Sequence, residues 1–237
     1  MRKKRRKLKT SVKKRRKLKA SVKIGILSIL TMTIIQVFNI IDNKFRIMAD
    51  TNKIIVTIDM GHGGKDQGSS NQSGNIIEKE ITLQIGEKVA TELEKTGKIK
   101  VIKTRDSDEY IGLKDRTNIS NDNNSNLFIS IHCNSTPDKS YATNGVETYY
   151  WSNSDDNSYN LANKIQNSIL SNLKVNDRGV KRENYQVLRE SSCPSVLIET
   201  GFLSNPKEAY NLSKNKYQQK LAKAIANGIK EYLALND

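Results

Sequence analysis

Side chains of the types that perform metal-assisted hydrolysis stand at the ends of apolar segments in this sequence. The chain has only two histidines, His62 in GHGG and His132 in SIHCNS, and both follow or end a strand-like run. Imidazole is the commonest metal ligand in proteins, and two imidazoles from neighbouring strands suit zinc. Glu199 follows SVLI, where a buried carboxylate is costly without a partner and is suited to act as a general base. These residues predict a hydrolytic metal site.

The third ligand of such a site is not fixed by the histidines. A catalytic zinc ion usually has three protein ligands and one open position, so a carboxylate or a cysteine must complete the set. Glu78 opens the helix after the GHGG loop and is the best placed, although acidic residues are common in first turns for other reasons. Glu80 is its competitor. Cys133 is disfavoured because neighbouring residues of a strand point to opposite faces, which turns it away from His132.

Strand-like and helix-like segments alternate after residue 51, which predicts how these residues are positioned. The strand-like segments are 54–58, 99–104, 127–132, 146–151 and 195–200, and the helix-like segments are 78–95, 111–121, 156–173 and 213–234. Apolar strands separated by helices indicate an α/β domain with an open, twisted, mostly parallel sheet and helices on both faces. Ligands of such sheets collect beyond the carboxyl ends of the strands, where both histidines and Glu199 fall.

The positive charge of the chain is concentrated in its first 23 residues. The formal net charge is +15, but residues 1–23 hold 14 of the 40 Lys and Arg and none of the 25 Asp and Glu. This basic tail repeats KKRRKLKTSV (3–12) as KKRRKLKASV (13–22), and the rest of the chain is nearly neutral. A nucleic-acid-binding function is therefore disfavoured, because an uncharged apolar segment follows the tail directly.

Residues 24–41 carry no charge and predict a transmembrane signal anchor. A helix of eighteen residues spans roughly 27 Å, close to the hydrocarbon thickness of a bilayer. Basic residues on its amino side predict a cytoplasmic tail (1–23), a linker at 42–52 and a catalytic domain over 53–237 on the extracytoplasmic side of the cell membrane. The alternative is a cleaved signal peptide and a secreted protein, but no clean cleavage motif follows the segment.

Six blocks between residues 53 and 233 resemble, in order, those of the zinc-dependent N-acetylmuramoyl-L-alanine amidases of the Amidase_3 family. The blocks are IVTIDMGHGG, IIEKEITLQIG, TRDSDEYIGLKDRTNISN, FISIHCNS, GVKRENYQVLRE and VLIETGFLSN. The resemblance implies Zn²⁺ as cofactor, His62, Glu78 and His132 as its ligands, and Glu199 as the catalytic glutamate. It also implies cleavage of the amide between N-acetylmuramic acid and the L-alanine of the stem peptide, so the expected partner is a peptidoglycan strand.

Further roles follow as hypotheses. We expect Asp59 to orient a ligand histidine, and Arg182 and Arg189 to meet carboxylates of the stem peptide. A network formed by Arg105, Asp106 and Arg116 is expected to brace a loop. The sequence departs from the family pattern at Met60, where proline is usual, and at Cys133, where a small residue is usual. The two cysteines are expected to be small buried thiols, with a single disulfide as the alternative.

The small single domain without wall-binding repeats resembles the germination-specific spore-cortex amidases, whose cut precedes muramic-δ-lactam formation. We see no helical insertion able to plug the zinc cleft, so a regulatory partner protein is one expected means of control. Two other functions stay open at this point: a zinc peptidase that cuts within the stem peptide, and a non-catalytic module that binds the wall or the membrane.

Overall fold

A computed structural model describes residue 13, residues 31–32 and 34–41, and residues 53–136, 141–151 and 156–235. The chain divides into two units, residues 1–52 and residues 53–237. Of the predicted anchor at 24–41, only residues 31–32 and 34–41 are described; they are helical. In the parts of the chain that are described, no helix has both the length and the apolar character needed to cross a bilayer. The basic tail, apart from residue 13, and the linker lie outside the described residues.

The second unit alternates strands and helices along its length. The strands are β1 (Ile54–Met60), β2 (Ile99–Lys103), β3 (Leu127–Asn134), β4 (Val146–Tyr150), β5 (Asp177–Arg182) and β6 (Ser195–Phe202). The helices are α1 (Glu78–Glu94), α2 (Leu113–Asp122), α3 (Asn157–Asn172), α4 (Gln186–Arg189), α5 (Pro206–Leu212) and α6 (Asn215–Tyr232). The predicted elements are all present, whereas β5, α4 and α5 were not predicted as separate elements.

The six strands form one sheet in the order β2-β1-β3-β6-β4-β5. All neighbouring pairs are parallel except β4 and β6, which are antiparallel. The prediction of a mostly parallel sheet in an α/β domain is therefore confirmed. Because β4 runs against β6, its amino end lies at the same edge of the sheet as the carboxyl ends of β1, β3 and β6.

The two faces of the sheet are covered by packed helices to different extents. Leu127, Ile129, Val196 and Ile198 point to the larger face, where α1, α3 and α6 pack and form the main core. Residues between them in sequence point to the opposite face, where Phe128 and Leu197 form a small cluster with Val187 and Leu188 of α4. Fewer helices and side chains pack on this second face. Glu199 lies on it because it follows Leu197 by two positions.

Candidate active site

The structure brings His62, Glu78 and His132 together at the carboxyl edge of the sheet. His62 lies in the turn after β1, His132 in β3, and Glu78 is the first residue of α1. Glu78 Oε1 lies 3.1 Å from His62 Nε2 and 3.0 Å from His132 Nδ1. One ligand atom from each residue lies within 4.8 Å of the others. This is a donor set of two imidazoles and a carboxylate, which suits a single divalent cation.

The same geometry favours Glu78 over Glu80 and Cys133 as the third ligand. Glu78 is 3% exposed and turned toward both histidines, whereas Glu80 is exposed to solvent. The Cys133 side chain is buried in the main core, and its sulfur lies 3.3 Å from Thr200 Oγ1. Its backbone N–H donates to Glu78 Oε1 and so helps to fix that carboxylate. Both cysteines are free thiols, so the disulfide alternative is not seen.

Glycines around His62 make room for the other two candidate ligands. A Cβ at Gly61 would lie 2.4 Å from the His132 ring, and a Cβ at Gly68 would lie 2.6 Å from Glu78 Oε2. His62 itself has a φ of 63°, a left-handed conformation that is uncommon for a residue other than glycine. Such strain persists where the surrounding structure imposes it, and it is concentrated at functional sites.

Two buried arginines impose this turn by binding its carbonyl groups. Arg116 Nη2 donates to the carbonyl of His62 at 2.8 Å, and its Nη1 donates to the carbonyl of Met60 at 2.7 Å. Arg105 donates to the carbonyls of Met60 and Gly61 at 3.0 and 3.1 Å. The expectation that these arginines brace a loop is confirmed, and the braced loop is the one that carries His62. Asp106 was expected in the same network, but it is exposed and takes part in none of these contacts, so this part of the expectation is wrong.

Asp59 contacts Arg116 and not a histidine, which corrects the expectation that it orients a ligand histidine directly. Its carboxylate accepts hydrogen bonds from Arg116 at 2.7 Å, Ser130 at 2.6 Å and Thr104 at 2.8 Å. Burial would raise the pKa of Asp59, but the Arg116 charge and the hydrogen bonds from Ser130 and Arg116 outweigh it and hold the pKa below its ordinary value. Asp59 therefore stays ionised and fixes Arg116, which in turn holds the His62 carbonyl.

Asp66 is the residue that approaches a ligand histidine, and sequence reasoning missed it. Its Oδ2 lies 2.9 Å from His62 Nδ1, within ion-pair distance. Its Oδ1 accepts a hydrogen bond from the Gly68 N–H. The only signal in the sequence is an aspartate four residues after a histidine in a glycine-rich loop, and the contact depends on how that loop folds.

The charges of the three converging side chains are strongly coupled. Burial would raise the pKa of Glu78, but both histidines lower it well below its ordinary value. Burial would lower the pKa of His62, but Glu78 and Asp66 raise it to about 8. The pKa of His132 is likewise raised by Glu78 against the effect of burial. The carboxylate thus attracts positive charge to this point, which a metal cation can supply in place of protons.

Glu199 lies beside this cluster, since it is paired with His132 across β3 and β6. Its Oε2 is buried and has no hydrogen-bond partner among the described residues. Burial raises the pKa of Glu199 to about 7; the His132 charge opposes the rise, and the charges of Glu78 and Glu147 add to it. A carboxyl group with a pKa near neutrality and an unused oxygen is suited to accept and return a proton.

A cavity of about 390 Å³ opens over these residues. Its polar lining includes His62, His132, Asp66 and Glu199, together with Asp59, Arg116 and Gln186. Its apolar wall is formed by Tyr110, Ile111, Leu113, Tyr185, Val187 and Leu197. Neither Arg182 nor Arg189 lines it: Arg182 stacks on Trp151, and Arg189 donates to Asn184 Oδ1. Their predicted contacts with substrate stay predictions.

Residues 56–231 match the Amidase_3 family model, which describes N-acetylmuramoyl-L-alanine amidases. The chain belongs to this family. The N-acetylmuramoyl-L-alanine amidase LytC of Bacillus subtilis is 38% identical over 178 residues, which are 75% of this chain and 35% of LytC. The uncharacterised protein YqiI of the same organism is 39% identical over 178 residues, which are 75% of this chain and 84% of YqiI. The match to LytC thus spans about a third of that protein.

Solved amidase structures share the fold described above. An N-acetylmuramoyl-L-alanine amidase from Clostridium difficile 630 is 40% identical, with a TM-score of 0.75 and coverage of 78% of this chain and all of that one. The CwlD amidase from Clostridioides difficile, solved in complex with the GerS lipoprotein, is 34% identical, with a TM-score of 0.73 and the same coverage. The domain is therefore an amidase domain of the hydrolase class.

Proposed function

We propose that this protein is a zinc-dependent N-acetylmuramoyl-L-alanine amidase that cleaves the bond between N-acetylmuramic acid and L-alanine in peptidoglycan. The proposal depends on one observation above all: two imidazoles and a carboxylate converge within 4.8 Å beside Glu199, whose Oε2 is buried without a partner. Family membership supports the substrate, and the donor set supports the metal.

The residues present fit a catalytic zinc ion. His62, Glu78 and His132 would hold it, and three protein ligands leave a coordination position for water or substrate. When bound, zinc supplies a Lewis acid for the substrate carbonyl and lowers the pKa of a water molecule toward neutrality. The buried Cys133 N–H and the Ser69 N–H both donate to the Glu78 carboxylate, which keeps it ionised and in place.

The protein's own contribution to the reaction is proton transfer and positioning. Glu199 Oε2 accepts the proton of the water that attacks the lactyl carbonyl, and the same carboxyl then donates a proton to the alanine nitrogen as the C–N bond breaks. The products are a free lactyl carboxylate on the glycan and a free amino terminus on the peptide. The arginines that hold the His62 loop keep its imidazole at a fixed place while the substrate enters the cavity.

Incubation of the purified, zinc-loaded protein with sacculi tests this function. We expect release of stem peptides that begin with L-alanine and leave an intact glycan, and we expect Glu199→Gln to reduce the rate at least 100-fold with zinc content unchanged. Cleavage within the peptide would instead identify a zinc peptidase. Sacculus binding without cleavage, indifferent to a chelator, would identify a non-catalytic module.

We further propose that the domain acts outside the cell membrane, anchored by residues 24–41, with the basic tail in the cytoplasm. The basic segment 1–23, followed directly by the uncharged apolar segment 24–41, supports this. The similarity to CwlD, solved with a lipoprotein partner, supports a partner protein for this domain. The proposed role in spore-cortex maturation rests on the sequence resemblance described above. Protease protection of an epitope on the tail in intact cells would test the orientation; cleavage of that epitope from outside would contradict it.

A further inference from the structure

A buried glutamate next to Glu199 forms ion pairs with two cationic side chains at the rim of the site. Glu147 of β4 is 1% exposed and is paired with Glu199 across β4 and β6. Arg178 Nε lies 3.1 Å from Glu147 Oε2, and Lys181 Nζ contacts the same oxygen. Asn134 donates to the other oxygen, Oε1, at 2.6 Å. We refer to Glu147, Tyr149, Arg178 and Lys181 as the β4–β5 shelf.

The β4–β5 shelf carries more positive charge than its own glutamate balances. Two cations share one carboxylate oxygen, which leaves a net charge of about +1 at this place. Their side chains are 31% and 41% exposed, for Arg178 and Lys181 respectively, so both reach solvent. The contact with Glu147 uses the Nε donor of Arg178, one of five donors in its guanidinium. A partly exposed, pre-positioned cation pair of this kind suits the binding of a carboxylate.

The β4–β5 shelf borders the cavity that contains Glu199. Tyr149 and Lys181 are paired across β4 and β5, and Lys181 Nζ lies 5.9 Å from the centre of the Tyr149 ring. The Tyr149 ring packs edge-on against Tyr185, with centroids 5.3 Å apart, and Tyr185 lines the cavity. The shelf is thus continuous with the wall of the site on the side of β6 away from the histidines.

The opposite side of the cavity has a different character. Tyr110 and Leu113 are 49% and 55% exposed and form an apolar rim there, with Ile111 between them. A substrate whose scissile amide lies between the histidines and Glu199 therefore extends over an apolar surface on one side of the cavity and over a cationic surface on the other. The stem peptide carries carboxylates after its first alanine, whereas the glycan is uncharged where its lactyl groups are in amide linkage.

We propose that Lys181 and Arg178 bind the carboxylate of the acidic residue that follows L-alanine, and so set both the direction and the charge preference of the substrate. This inference rests on the proposed amidase function and extends it to a specificity subsite. The acidic stem peptide then crosses β4 and β5, and Glu147 holds the two cations in place for it. Muropeptides in which this carboxylate is amidated lose the ionic contact.

Hydrolysis of two muropeptides by the full, zinc-loaded chain tests the subsite: one with the free carboxylate on the second residue, the other with that group amidated. We expect the wild-type protein to prefer the free carboxylate about tenfold in kcat/KM, mainly through KM, because hydrogen bonds to charged groups are of that strength. Lys181→Gln leaves Arg178 balanced by Glu147, with no net positive charge on the shelf, and should bring the ratio close to one. Lys181→Arg keeps the charge and should keep the preference.

The control is Lys220→Gln, the same change of charge at an exposed position on α6, and it should keep the wild-type ratio. Circular dichroism of each variant establishes that it is folded, and the Arg178–Glu147 contact remains in Lys181→Gln. A Lys181→Gln protein with the wild-type ratio would overturn the subsite. So would a wild-type protein that cleaves both muropeptides equally, although the amidase function would then stand. Cleavage of neither would overturn both proposals.

Discussion

Replacing Arg116 by methionine should destabilise the domain and release the loop that carries His62. Arg116 is 3% exposed and donates to Asp59 Oδ1 at 2.7 Å. It also donates to the carbonyls of Met60 at 2.7 Å, His62 at 2.8 Å and Ile111 at 3.0 Å. Methionine fills similar space but donates nothing, so the substitution leaves a buried carboxylate and these carbonyls with fewer donors.

The size of the effect follows from the burial of the pair. Removing one partner of a buried ion pair costs about 3–5 kcal/mol, because the other charge is left uncompensated. For a domain of this size each kcal/mol lowers Tm by about 2–4 °C, which gives a decrease of roughly 6–20 °C. Zinc affinity should also fall, by about 10–100-fold, since the groups that support a ligand contribute that much.

The measurement is a double-mutant cycle in the free energy of unfolding, with Arg116→Met, Asp59→Asn and the double variant. We expect the double variant to be clearly more stable than the sum of the single losses, because Asp59→Asn removes the charge that Arg116→Met leaves unpaired. Lys220→Met, on an exposed position, is the control and should change stability by less than about 0.5 kcal/mol. Additive losses, or an Arg116→Met protein as stable as wild type, would refute the reasoning.

The pH dependence of stability provides a second view of the same pair. The pKa of Asp59 is lowered in the folded state, so the unfolded state binds more protons in the window below the ordinary value of 3.8. The stabilisation by Asp59 is therefore present above that value and is lost as pH falls through the folded pKa. In Asp59→Asn this part of the acid sensitivity should be missing.

Three other predictions concern the surroundings of the candidate ligands. Gly61→Ala places a Cβ 2.4 Å from the His132 ring, so zinc stoichiometry at a fixed metal concentration should fall; full occupancy would contradict this contact. Asp66→Asn should weaken zinc binding about 10–100-fold in competition with a chromophoric chelator, and an unchanged Kd would show that Asp66 does not support His62. A thiol reagent should modify half-buried Cys193 before Cys133, whose burial also raises its pKa, and the reverse order would contradict the packing.

The sequence predicted the elements whose residues are apolar and buried. β1, β3 and β6 are continuous apolar segments, and α1 and α6 carry apolar residues at helical spacing. β5, in contrast, reads DRGVKR and lies at an edge of the sheet, mostly half-buried, so it has no apolar signature. Helix α4 has only four residues and α5 only seven, too few to show an apolar pattern of helical spacing, so neither was predicted.

For the site, residue type and position at strand ends were sufficient to indicate His62, His132 and Glu199. The contacts that support them were not predictable, because they join residues distant in sequence through loops. Arg116 reaches the His62 carbonyl across 54 positions, and Asn134 reaches Glu147 across a loop that is only partly described. Met60 shows the same limit: its N–H donates to Thr104 Oγ1 at 3.3 Å, a bond that the proline usual in the family cannot make.

The most direct test is a crystal structure of the zinc-loaded protein with anomalous data collected at the zinc absorption edge. We predict one anomalous peak within about 2.0–2.2 Å of a nitrogen of His62, a nitrogen of His132 and an oxygen of Glu78, with Glu199 close by but not bound to the ion. A peak at another place, or a fully loaded protein in which any of these three side chains points away from the ion, would contradict the account.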